Sequence, residues 1–248
     1  MKIIAIIPAR MGSTRFPGKP LANLLGRTMI EHVYKRVALS KFISETYIAT
    51  CDEAIRQAAT FGAPVIMTSD SHERASDRVA EAVANIEGDL IVMVQGDEPM
   101  THPEMIDTAV KPFERDSQLG CVNLVRRIEQ EADYNDINTI KVVMNQQGDA
   151  LYMSRQSIPT VSKAGFSATQ AYKQVCIIPF RRDVLLQYTQ LPPTPLEKLE
   201  SIDMLRLLEH GYRVRMIETQ YNSQAVDTEA DLARVAQLMA TDPLLSQY

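Results

Sequence analysis

Short β-branched apolar runs alternate with helical periods through the first half of the chain, and each run ends in turn or polar residues. That rhythm predicts a parallel sheet flanked by helices. Strands are expected at 2–7, 46–49, 64–67 and 89–94, which read continuously apolar, as strands covered on both faces do. Helical periods fall at 29–39, where Ile30, Val33 and Val37 share a face, and at 76–85, where Val79 and Val83 stand four apart. A helix over 103–115 follows the fourth strand. From residue 119 the texture becomes strand-rich, at 119–125, 140–144 and 150–152, with Gln147-Gly148-Asp149 as the turn between the last two. Long helices return at 195–210 and 228–239, and the aperiodic Ser-, Thr- and Gly-containing stretch 158–171 suggests a mobile surface segment. The expected fold is α/β, a doubly wound, mostly parallel sheet, as one domain over 1–248 with a smaller β-rich excursion at about 119–180. Ligands of such sheets bind beyond the carboxyl ends of the strands.

Composition narrows the function classes. A chain of 248 residues, 45% hydrophobic and 23% charged, can bury one sizeable core, or one core with an attached lobe. Its formal charge of −5 provides no bulk positive field for nucleic acid or an anionic membrane, so any polyanion must meet a local cluster. No apolar run approaches the roughly 20 residues that span a bilayer, and the N-terminus enters a strand pattern without a signal-peptide cleavage site, so a soluble cytoplasmic protein is expected. The three cysteines, Cys51, Cys121 and Cys176, lack CxxC spacing and read as buried thiols.

The local cluster follows the first strand. In Pro8-Ala9-Arg10-Met11-Gly12-Ser13-Thr14-Arg15-Phe16-Pro17-Gly18-Lys19-Pro20, three cations, two glycines and two hydroxyls fall within eleven residues from Arg10 to Pro20. Glycines let backbone N–H groups approach an anion, hydroxyls add donors, and Arg10, Arg15 and Lys19 can neutralise a triphosphate. Five residues separate Gly12 from Gly18 and Pro20 follows Lys19, so this is not a Walker loop. No GxGxxG occurs, which argues against a dinucleotide-dependent oxidoreductase, and no GxSxG supports Ser/His/Asp hydrolysis. A solvated basic turn would not usually combine three cations with Gly and Pro at the functional edge of a sheet.

The string IIPARMGSTRFPGKPL resembles the opening signature of sugar-activating nucleotidyltransferases, and most closely that of the CMP-Kdo synthetases, the 3-deoxy-manno-octulosonate cytidylyltransferases. The resemblance extends through VQGDEPM at 94–100, IKVVMN at 140–145, ALYMSRQSIP at 150–159, TPLEKLE at 194–200 and VDTEADL at 226–232, essentially the whole chain. It implies attack of the anomeric hydroxyl of a 2-keto sugar acid on the α-phosphorus of CTP, with release of pyrophosphate, in lipopolysaccharide biosynthesis. It implies that Arg10, Arg15 and Lys19 meet the phosphates. Ala9, Gly12, Ser13, Arg78 and Gln95 would face the nucleotide, and Asp97 with Asp227 would hold Mg2+. A homodimer built through the β-rich excursion is also implied; nucleic acid and membrane are not among the partners.

Bare residues leave two of these roles open. Asp227 or Thr228, before the apolar pattern Leu232, Val235, Leu238, is also what a helix N-cap looks like, and Thr228 with Asp231 has capping-box spacing. Arg78 is equally a surface helix arginine. None of His32, His72, His102 and His210 shares metal-ligand spacing with another, and none is assigned chemistry.

In the acceptor pocket the chain departs from the family pattern: Lys173-Gln174 stand where an Arg-His pair is usual, Met204 where a Gln is usual, and Thr160 where an aromatic is usual. With Glu197, Glu200 and Asp203 retained, and Glu200 and Asp203 facing alike at i,i+3, the pocket is expected to favour a cationic group. That points to 8-amino-3,8-dideoxy-manno-octulosonate, with Kdo itself as the alternative. A nucleotide-sugar-dependent glycosyltransferase would share the sheet and a metal-binding Asp but normally shows D-x-D, where this chain has Asp97-Glu98-Pro99. A non-catalytic nucleotide sensor would release no pyrophosphate.

Overall fold

The structure is a computed structural model that describes residues 1–13 and 15–248; the Thr14 hydroxyl of the basic loop lies outside the described residues. The chain forms two compact units, residues 1–107 with 222–248, and residues 108–221.

In the first unit β1 (Ile3–Pro8) is buried along its whole length, as a run of isoleucines covered on both faces must be. A tight hairpin follows, β2 (Asn23–Leu24) and β3 (Arg27–Thr28), turned by Leu25 and Gly26 at φ 52° and 87°. Thr28 then caps α1 (Met29–Ala38), its hydroxyl accepting from Glu31 N, and Ile30, Val33 and Val37 face the core as their spacing predicts. After α1 come β4 (Glu45–Thr50), α2 (Glu53–Ala58), β5 (Val65–Met67), α3 (Ala75–Ala82), β6 (Leu90–Val94) and α4 (Pro103–Val110). All pairings of the large sheet within this unit are parallel, and its strands lie in the order β6-β1-β4-β5. The chain therefore builds outward from β1 on one side, then returns to place β6 on the other. The point between β1 and β6 is the topological switch, where loops after the two strands diverge and leave a crevice.

Gly96 lets the two chains pass close together at the strand ends before the loops part. A Cβ there would stand 2.8 Å from the Pro8 carbonyl oxygen and 3.2 Å from Ile30 Cδ1, so no larger residue fits without moving backbone. The C-terminal helix Glu229–Met239 also belongs to this unit. It buries Val235 and Met239 against Leu24, Met29 and Val226, while Leu238, expected on the apolar face, is 46% exposed.

The second unit is larger than the excursion expected from sequence. It adds α5 (Pro112–Arg115), β7 (Val122–Arg127), α6 (Glu131–Asn135), β8 (Lys141–Met144), β9 (Ala150–Ser154), β10 (Tyr172–Val175), β11 (Ile177–Arg181), α7 (Arg182–Tyr188), α8 (Pro195–Glu200), α9 (Met204–Glu209) and β12 (Arg215–Glu218). Its sheet has the order β12-β7-β10-β8-β9, antiparallel except that β12 runs parallel to β7, and that late strand draws the boundary out to residue 221. Asn145 Oδ1 accepts from Gln147 N and Asp149 N to turn the β8–β9 hairpin at the expected place.

Two expected helices are each broken. Pro112, without an N–H, separates α4 from α5, and Ser201, left-handed at φ 56°, ends α8 before α9 begins. In the stretch 158–171, Pro159 O accepts from Tyr134 OH, the Phe166 ring packs at 5.4 Å from that of Tyr134, and Ala171 is buried. Of the three cysteines only Cys121 is buried, and burial pushes its thiol pKa up. Cys51 and Cys176 are partly exposed, because each lies just beyond the end of a strand, where the chain leaves the core. Among the described residues no helix is long and apolar enough to cross a membrane.

Replacing Gly96 by alanine is expected to destabilise the protein by about 1–3 kcal/mol, the usual cost of overpacking. Thermal denaturation of Gly96→Ala checks this, and an unchanged Tm would contradict the close approach.

Candidate active site

The loop after β1 closes on itself: Met11 O accepts from both Ser13 N and Gly18 N at 3.0 Å, and Gly18 is left-handed at φ 74°. Ser13 Oγ accepts from Phe16 N, and Asp52, just after β4, accepts from Met11 N at 2.7 Å. Asp52 was not singled out in the sequence, although an acid at the carboxyl end of a strand is the signal that would have found it. The closed loop starts a short 3-10 turn at Lys19 and aims that side chain inward. It forms one wall of a cavity of about 380 Å³ at the switch point, where Ala9, Arg10, Gly12, Ser13, Arg15 and Lys19 meet Arg78, Gln95, Asp97 and Asp227. Every nucleotide- and metal-directed residue named from the sequence thus reaches one cavity.

Charge is concentrated at its base. Lys19 Nζ donates to Asp97 Oδ2 at 2.7 Å, to Val226 O at 3.0 Å and to Asp227 Oδ1 at 3.3 Å. Arg15 Nη2 lies 2.9 Å from the same Asp227 oxygen. Arg10 is exposed at the mouth and has no ion pair among the described residues. The two acids are held together by backbone, Val226 N donating to Asp97 O at 2.9 Å, and by a hydrogen bond from Ser223 to the buried Glu98. The ambiguity at 227–228 resolves cleanly: Thr228 and Asp231 form the capping box, which leaves the Asp227 carboxylate for the cavity.

Arg78 is neither a surface arginine nor open to the cavity through its whole guanidinium. It is 3% exposed, and Nη1 donates to Thr68 Oγ1 at 2.5 Å and Ser69 O at 3.2 Å, fixing the segment after β5. His72, given no role from spacing, lines the cavity and hydrogen-bonds Glu81, which also accepts from Ser69 N. Burial opposes ionisation of Glu81, but its His72 and Ser69 partners prevail and hold its pKa below the usual value. Nothing in the sequence pairs residues nine apart on a loop and a helix, so this contact was not legible.

Within the second unit, the residues expected to bind a sugar divide among different tasks. Lys173 and Gln174 are consecutive on β10, so their side chains take opposite faces of the sheet. Lys173 lies 3.5 Å from Asp133, and Gln174 Nε2 donates to Asn123 Oδ1 at 2.6 Å. Glu197, 1% exposed, receives both Arg206 Nε at 2.8 Å and Arg206 Nη2 at 2.6 Å, and that guanidinium lies over the Tyr188 ring. Glu200 accepts from Tyr152 OH, Ser154 Oγ and Arg155 N; burial opposes its charge, but these donors outweigh it and its pKa is lowered. Asp203 follows the break at Ser201, so it does not share a helical face with Glu200 as the i,i+3 spacing suggested. Met204 is a core residue against Cys121, and Thr160 is exposed.

Among the described residues no three His, Cys, Asp or Glu side chains gather as a ready cage for a metal. Two carboxylates that contact one ammonium are still a fitting donor set for a hard cation that takes one or two protein oxygens and completes its shell from phosphate and water.

A loop carrying three cations at the switch point of a doubly wound sheet, with two acids facing it, fits a nucleotidyltransferase, and the sequence profile described as Cytidylyltransferase matches residues 4–219. Two curated relatives carry a more particular description, "3-deoxy-manno-octulosonate cytidylyltransferase". The Geobacter metallireducens protein is 44% identical over 250 residues, covering 97% of this chain and 98% of its own. That of Geotalea uraniireducens is 45% identical over 245 residues, covering 95% and 98%. A solved structure of CMP:2-keto-3-deoxy-manno-octonic acid synthetase complexed with CTP superposes with a TM-score of 0.90 at 39% identity, over 97% of this chain and 99% of that one. The chain belongs to the 3-deoxy-manno-octulosonate cytidylyltransferase family.

Glu197→Gln leaves Arg206 buried without its counter-charge and is expected to destabilise the fold by about 3–5 kcal/mol, as loss of one partner from a buried pair does. Denaturant unfolding checks this. A variant of normal stability with altered choice of acceptor would return Glu197 to the sugar site.

Proposed function

We propose that the chain catalyses cytidylyl transfer from CTP to the anomeric hydroxyl of 3-deoxy-manno-octulosonate. The hydroxyl oxygen bonds to the α-phosphorus, the bond from that phosphorus to the bridging oxygen breaks, pyrophosphate leaves and the hydroxyl proton passes to solvent. The observation that carries this reading is the convergence of Arg10, Arg15 and Lys19 with Asp97 and Asp227 in one cavity, in a chain so similar throughout to proteins of that description. Phosphoryl-transfer chemistry asks a protein mainly to position and to neutralise. Arg10, Arg15 and Lys19 supply cations for the triphosphate and for the charge that develops on the leaving pyrophosphate. Gln95, lining the same cavity, offers an amide whose donor and acceptor suit the cytosine edge or the ribose. Asp97 and Asp227 would hold Mg2+, which when bound neutralises phosphate charge and acidifies the attacking hydroxyl.

The names of the relatives favour Kdo as the acceptor, with the 8-amino sugar as the second reading. Glu197 and Glu200 accept hydrogen bonds from Arg206 and Arg155, and Asp203 precedes α9 rather than continuing α8.

Pyrophosphate release from CTP, Mg2+ and each sugar acid tests both levels. Kdo is expected to give the higher kcat/KM, and Asp97→Asn to lower kcat by roughly 10² or more. Full turnover by Asp97→Asn would contradict the site, and preference for the 8-amino sugar would contradict the acceptor.

A further inference from the structure

Asp97 and Asp227 already have cations. All three protons of the Lys19 ammonium are engaged, by Asp97 Oδ2 at 2.7 Å, Asp227 Oδ1 at 3.3 Å and Val226 O at 3.0 Å, and Arg15 adds a second positive charge to Asp227. The four side chains sum to zero net charge. The Lys19 side chain is only 14% exposed, so solvent screens its field weakly. A free divalent cation approaching either carboxylate meets a like charge at contact distance, and it must also shed water that it gives up reluctantly.

A triphosphate changes this balance. Lys19 lines the same cavity as Arg10 and Ser13, and its flexible stem lets the ammonium swing from carboxylate to phosphate without movement of the closed loop. Arg15, half exposed, borders the same cavity. Each phosphate that captures one of these cations uncovers carboxylate oxygen and brings its own negative charge to the place where a metal would stand.

We propose that Lys19, assisted by Arg15, is an electrostatic latch that keeps free divalent cations off Asp97 and Asp227 until a nucleotide triphosphate draws the cations away, so that metal enters with or after the nucleotide. The proposal rests on the reading of these two carboxylates as metal ligands. It gives Lys19 a second task besides neutralising phosphate, and it makes metal affinity conditional on nucleotide.

Isothermal titration of the nucleotide-free protein with MnCl2 tests the latch. Wild type is expected to bind weakly, Lys19→Met to bind about tenfold or more tightly because one like charge is gone, and Lys19→Arg, which keeps the charge, to resemble wild type. Circular dichroism verifies folding, and Lys19→Gln replaces Lys19→Met if the latter does not fold. The latch is overturned if the neutral variant binds Mn2+ no more tightly than wild type. The reading beneath it is tested separately, by water-proton relaxation of Mn2+ with CTP in wild type and in Asp97→Asn. Equal enhancement in the two would remove Asp97 from the metal whatever Lys19 does.

Discussion

One ammonium group holds the cavity in its present form. Lys19 reaches from the loop after β1 to Asp97, beyond β6, and to Asp227, before the C-terminal helix, and so joins three segments distant in sequence. The geometry behind that reach is almost entirely backbone. Parallel pairing sets β1 beside β6, Gly96 admits close approach at their ends, and Val226 N clips the third segment onto Asp97 O. With the scaffold fixed, two carboxylates and two cations meet at contact distance, an arrangement that binds a polyanion with its counter-ion more naturally than either alone.

Much of this was legible because it is local. A run of isoleucines ending in Pro-Ala-Arg declares both a buried strand and the loop that follows it, and the same holds for the strand before Gln95-Gly96-Asp97. Periodicity also placed α1 and α3 and the faces they bury. What escaped depended on partners far away in the chain. Arg78 turned inward to Thr68, His72 found Glu81, and Asp52 took Met11 N, and none of these contacts leaves a pattern within a single element.

The second unit shows the opposite failure, a local pattern that promised too much. Glu197, Glu200 and Asp203 read as one stretch of helix, but Ser201 breaks it, and Glu197 and Glu200 accept hydrogen bonds from Arg206 and Arg155. Acids of this kind stabilise the unit: Glu197 with Arg206 under Tyr188, and Glu200 tying α8 to the end of β9. Met204 is fully buried beside Cys121, where its thioether needs no hydrogen-bond partner. A departure from a family pattern therefore carries functional meaning only after burial and partners are known.

In the proposed latch, Arg15 and Lys19 exchange their carboxylate partners for the phosphates of CTP within this cavity. A crystal structure of the protein with CTP and Mg2+ measures that directly. Triphosphate oxygens are expected within hydrogen-bond distance of Lys19 Nζ and the Arg15 guanidinium; a triphosphate bound elsewhere, with Lys19 still on Asp97 and Asp227, would overturn the exchange.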